Sequence, residues 1–97
     1  MGMDLYNNHG EYFYINRAGW RRFLDTAIDF GWKPEGTQHE DYQDWDGNYT
    51  SNDGQVITAK DANTLSGSLL EAALKRDLPK YLLDLAEFME NRNITIW

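Results

Sequence analysis

The chain has 97 residues, 41% of them hydrophobic and 26% charged, with nine Lys and Arg against sixteen Asp and Glu and a formal net charge of −7 at pH 7. That length holds one core, so a single domain over 1–97 is expected, and the composition is that of globular rather than disordered chains. The lack of cysteine excludes disulfides and thiolate metal sites, and the acidic balance disfavours nucleic acid, whose recognition relies on cations that neutralise phosphate.

Met1-Gly2-Met3-Asp4-Leu5-Tyr6 lacks the basic start and apolar run of a secretory signal. No stretch approaches the roughly 20 apolar residues of a membrane span, so a cytoplasmic protein is expected. Glu11-Tyr12-Phe13-Tyr14-Ile15 is dense in aromatic and β-branched types and predicts a strand. Met3 to Tyr6 can pair with it through a turn at Asn7-Asn8-His9-Gly10. Asn16 is placed to cap a following helix with Trp20, Phe23, Leu24, Ala27 and Ile28 on one face and Gly31 as its stop.

From Lys33 to Gly54 the helical period vanishes, and Pro34, Gly36, Gly47, Asn48, Asn52 and Gly54 punctuate a long segment carrying Tyr42, Trp45 and Tyr49. Irregular stretches of such length tend to be functional or disordered, and three large aromatics argue for order. Gln55-Val56-Ile57 predicts a short strand. Thr58-Ala59-Lys60-Asp61 then opens a helix, with Asp61 standing in for the Glu of a capping box and Ala62, Leu65, Leu69, Ala73 and Leu74 as its buried stripe. Ser66-Gly67-Ser68 either weakens that helix or permits close packing. Asp77-Leu78-Pro79 opens a third helix whose stripe is Tyr81, Leu82, Leu85, Ala86 and Met89, and Ile94-Thr95-Ile96-Trp97 adds a final strand. The expected fold class is α+β, a small antiparallel or mixed sheet packed against about three helices.

The acidic-aromatic run Glu40 to Tyr49 is the candidate site. Asp44, Asp46 and Asn48 offer oxygens at alternate positions, as a hard cation requires, but Gly47 precedes Asn48 and no Glu closes the loop, so the register is not that of an EF-hand and no metal is assigned. His39 beside Glu40 and Asp41 makes a poor general base, because adjacent residues rarely orient one another, and His9 is the only other histidine. There is no nucleophile elbow and no phosphate-binding glycine loop. No catalytic residue and no cofactor are therefore expected. Tyr42, Trp45 and Tyr49, interleaved with acids, are candidates for a partner surface, while Trp20, Phe23, Trp32 and Phe88 are expected to fill the core.

Gly10-Glu11-Tyr12-Phe13, Trp20, Gly31-Trp32-Lys33-Pro34-Glu35-Gly36-Thr37, Trp45-Asp46-Gly47-Asn48-Tyr49, Asn52-Asp53-Gly54-Gln55-Val56, Asp61-Ala62 with Leu65, and the terminal Ile96-Trp97 together resemble a group of small bacterial proteins of uncharacterised function. The resemblance implies a bacterial, cytosolic, single-domain protein and carries no activity or catalytic residue.

The function expected from these residues is a non-catalytic protein-interaction or regulatory module. It would meet a basic protein partner through Tyr42, Asp44, Trp45, Asp46, Asn48 and Tyr49, steered by opposite charge. The alternative is a small molecule or divalent cation bound in the same 37–54 loop. Ile94-Thr95-Ile96-Trp97, if it forms a sheet edge, offers a route to a homodimer.

Overall fold

A computed structural model describes residues 2–37, 44–45 and 48–97. In chain order the elements are β1 (Gly2–Asn7), β2 (Tyr12–Asn16), α1 (Arg17–Asp29), β3 (Gln55–Ile57), α2 (Ala59–Lys75), α3 (Lys80–Met89) and β4 (Ile94–Ile96). The strands form one antiparallel sheet of order β2-β1-β4-β3, packed with the three helices, so the fold is α+β.

β1 and β2 meet because the turn between them is built around one side chain. Asn7 Oδ1 accepts from the backbone N–H groups of His9 and Glu11, both at 3.0 Å, and its Nδ2 donates to Glu11 Oε1 at 2.9 Å. An Asx contact of this kind supplies the turn's hydrogen bonds locally and sets the register. Met3 then faces Ile15 and Leu5 faces Phe13 on the helix side, while Asp4 faces Tyr14 and Tyr6 faces Tyr12 on the other. The same alternation continues across the sheet, with Leu5 opposite Ile96 and Gln55 opposite Ile96 from its other side. Met3, Leu5, Ile15, Ile57, Ile94 and Ile96 are buried with the helical residues in one core cluster.

Each helix starts and stops for a visible reason. Asn16 Oδ1 accepts from Gly19 N–H at 2.7 Å, capping α1 as expected, and Thr58 Oγ1 accepts from Asp61 N–H at 3.2 Å at the start of α2. α3 begins one residue after Pro79 rather than at Asp77, because the residue before a proline is disfavoured in the helical region and Leu78 stays outside the helix. Ser66 Oγ donates to Ala86 C=O at 2.8 Å in the buried contact between α2 and α3, so the small residues of α2 serve close packing. Trp20, Phe23 and Trp32 are core residues, and Phe88 is half-buried against the ring of Phe13 at 5.5 Å.

Several expectations are corrected. Ile94–Ile96 is not an edge: β4 is bonded to β1 on one side and β3 on the other, so no backbone row is left there for a second copy. Helical spacing places Ile28, Leu74 and Tyr81 on buried stripes, but all three are exposed. Among the described residues, no helix is long and apolar enough to cross a membrane.

Among the described residues, β3 has β4 as its only sheet neighbour. A chain ended at Asn93 is therefore expected to lose the cooperative urea transition and most amide dispersion, whereas removal of Trp97 alone should leave both.

Candidate functional site

After α1 the chain leaves regular structure, and what orders it is a side chain from α2. Asp61 is 2% exposed, and its carboxylate faces away from the helix it begins. Oδ1 accepts from Glu35 N–H at 3.0 Å, and Oδ2 accepts from Gly36 N–H and Tyr49 O–H, both at 2.9 Å. The Asp61 C=O accepts from Trp32 Nε1–H at 3.2 Å, an N–H also directed at Thr64 Oγ1 at 3.1 Å. Three donors and the positive end of the α2 dipole satisfy an anion that would otherwise be costly to bury. This differs from the capping-box role expected for Asp61: the carboxylate is spent on residues 25 to 26 positions earlier and on Tyr49, 12 earlier, not on its own helix. Nearby, Lys60 Nζ lies 2.7 Å from Glu35 Oε2, and that hydrogen bond holds the ammonium above the ordinary lysine range.

The candidate residues of the 37–54 loop separate on this frame. Tyr42, Asp46, His39, Glu40 and Asp41 lie outside the described residues. Tyr49 is corrected from partner surface to core: it is 1% exposed, its ring stacks on Trp32 at 6.3 Å, and its C=O accepts from Trp20 Nε1–H at 2.6 Å. Trp45 is half-buried against the core, bridged antiparallel to Thr37 through paired backbone bonds of 2.8 and 3.0 Å, and its Nε1–H donates to Asn48 C=O at 2.6 Å. Thr37 Oγ1–H donates in turn to Val56 C=O, fastening that bridge to β3. Asp44 and Asn48 are exposed, and Asn48 Oδ1 accepts from Thr50 Oγ1–H at 3.0 Å. Among the described residues, no three His, Asp or Glu side chains converge as metal ligands.

What the loop does build is a half-open cleft of about 400 Å³ against α1, lined by Arg21, Asp25 and Ile28 on the helix side and by Pro34, Asn48 and Thr50 on the other. It accounts for the exposure of Ile28.

A second surface, which was not anticipated, is the outer face of the sheet. All three helices pack on one side, and on the other Tyr6, Tyr12, Tyr14 and Trp97 remain 45, 52, 56 and 56% exposed. Two of the rings are seated on glycines: a Cβ at Gly2 would overlap the Tyr14 ring, and one at Gly54, where φ is +91°, would lie 2.9 Å from Trp97 Cη2. Asp4 stands among them, paired in register with Tyr14 on one side and exchanging backbone bonds of 3.0 and 2.8 Å with Trp97 on the other. Tyr12 O–H donates to Asp4 Oδ1 at 2.5 Å, and this bond to the carboxylate lifts the phenol from 10.0 to about 12. Among the described residues, no Lys, Arg or His lies within ion-pair distance of Asp4. Period-2 alternation in 3–6 and 12–15 was the available signal, but the sequence does not show which face the helices leave open.

Comparison of the chain with protein-family profiles, curated proteins and solved structures gives no match.

Two outcomes follow from the bonds described. Asp61→Asn turns an amide N–H₂ toward donors and is expected to cost about 1–3 kcal/mol in urea unfolding, with Tyr49→Phe costing about 1 kcal/mol. Ring-carbon NMR titration should find Tyr12 ionising near 12 and returning toward 10 in Asp4→Asn. Because the folded value is the higher one, Tyr12 contributes stability that is fully present below about pH 10 and is lost as pH rises through about 12.

Proposed function

We propose that the chain is a non-catalytic protein-interaction module whose outer sheet face receives a basic segment of a partner protein. The observation that supports this reading is the Asp4 carboxylate set among four exposed rings with no compensating cation among the described residues. Tyr12 occupies Oδ1, and no described donor is directed at Oδ2, so an ammonium or guanidinium has an acceptor in reach with aromatic faces beside it. Contacts of a cation with exposed rings add about 0.5–1 kcal/mol each, and Tyr and Trp are the side chains most often found at binding hot spots. The net charge of −7 steers a basic partner and repels polyanions. In this reading the partner class expected for the 37–54 loop is kept, and the surface moves to the sheet.

A second reading, a small molecule held in the α1 cleft, is favoured by the concavity itself and by the polar groups of Arg21, Asp25, Asn48 and Thr50 on its walls.

Immobilised wild-type chain and the Asp4→Asn, Tyr12→Ala and Trp97→Ala variants, exposed to the same cell extract, separate the two. A specific basic partner should be retained by the wild type and reduced about tenfold or more by each face variant, as loss of a hot-spot side chain predicts. Equal retention by all four would remove the sheet face. A thermal-shift response to metabolites that is abolished by Arg21→Ala and untouched by Tyr12→Ala would instead favour the cleft.

A further inference from the structure

The outer side of the helix layer carries an apolar surface that the fold does not use. The interior face of α2 is complete with Ala62, Leu65, Leu69 and Ala72, and that of α3 with Leu82, Leu85, Ala86 and Met89. Leu70 and Leu74, one turn apart on α2, remain 48 and 87% exposed. They line a groove of about 720 Å³ together with Ala73 and, from α3, Leu83. Its rim is acidic on both sides, with Glu71 on α2 and Glu87 and Glu90 on α3. Among the described residues only Glu71 has a cation nearby, Lys75 at 3.7 Å, and both of those side chains are more than half exposed.

We infer that this groove is a second docking surface and that its occupant is an amphipathic helix of a partner protein, with apolar side chains on one face and Lys or Arg along its flanks. The inference rests on different residues from the sheet-face reading and holds or fails independently of it. The shape favours a helix: the groove runs between the ridges of two packed helices, where a third helix seats residues at i, i+3, i+4 and i+7. Charge selects which helix. Glu87 and Glu90 on one wall and Glu71 on the other match basic flanks, and they oppose the other available occupants. A second copy docked about a two-fold axis would bring these glutamates against their own equivalents, and an anionic lipid surface would be repelled. Leu74 supplies the apolar anchor, since exposure at 87% leaves nearly all of its side chain to be covered.

The probe is a synthetic peptide with leucines at helical spacing and lysines at its other positions, together with an analogue carrying glutamate for lysine, each titrated into the whole labelled chain by NMR. The lysine peptide should bind saturably, gain helix, and shift the amides of Leu70, Ala73, Leu74, Leu83, Glu87 and Glu90. Leu74→Ser should weaken it about tenfold or more, as loss of one buried leucine predicts. Glu87→Lys with Glu90→Lys should abolish it, and the glutamate analogue should not bind. Tyr12→Ala and Trp97→Ala should bind like the wild type, which keeps this result separate from the sheet face. All five substituted positions are on the surface, and an unchanged urea midpoint verifies that the fold is intact. Equal affinity in Leu74→Ser, shifts centred on the sheet face, or a concentration-dependent dimer in sedimentation whose interface protects Leu70 and Leu74 would each overturn the inference.

Discussion

A single buried carboxylate holds together the described parts of the chain between α1 and β3. Asp61 is fixed at the start of α2 by Thr58, and from there it collects the N–H groups of Glu35 and Gly36 and the phenol of Tyr49. Each donor comes from a part of the chain with no ladder of its own to join. Deleting the acceptor would strand several polar groups at once in a low-dielectric interior, where unpaired groups are most costly. The rings follow from the same anchor, since Tyr49 is held where it can stack on Trp32 and present its carbonyl to Trp20. The cleft beside α1 exists because that chain path is pinned.

With one side of the sheet committed to helices, polarity and aromaticity are sorted by layer. The inner face is aliphatic, the outer face is tyrosine and tryptophan around Asp4, and the far side of the helices carries leucines between glutamates. A chain of this size exposes many apolar atoms in any case. The distinctive property is that the sheet face and the helix groove both set large exposed side chains beside carboxylates, Asp4 in one and Glu71, Glu87 and Glu90 in the other, which gives both surfaces the same electrostatic preference.

Local chemistry made the fold legible. The Asn7–Gly10 turn, the Asn16 and Thr58 caps and the aromatic strand 11–15 depend on neighbours in sequence, and each is found within a residue or two of its expected place. The placement of Ile94–Ile96 inside the sheet was not legible, because strand order is set by pairings across nearly the whole chain and an isolated β-prone tetrapeptide carries no mark of edge or centre. Helical spacing assigned Ile28 and Leu74 to the interior because periodicity reports a face without reporting where the neighbouring element stops. Tyr49 was misplaced for the opposite reason: a ring in an acidic, glycine-rich stretch has no period to follow, and its burial is determined by Asp61. The Tyr6, Tyr12, Tyr14 and Trp97 surface required knowing that the helices share one side.

The order of strands also bears on how the chain acquires its shape. β4 links β1 to β3, so the first and last strands lie side by side and Asp4 and Trp97 exchange both backbone bonds. On a ribosome, the hairpin and the helices emerge with their aliphatic sides uncovered and must wait for residues 94–96 before the sheet can join. Such long-range closure slows folding and prolongs the interval in which nascent chains adhere to one another or to a chaperone. The adjacency of β1 and β4 also means that a short linker between these two strands, with the chain opened in the Asn7–Glu11 turn, would turn the central pairing of the sheet from a long-range contact into a local hairpin.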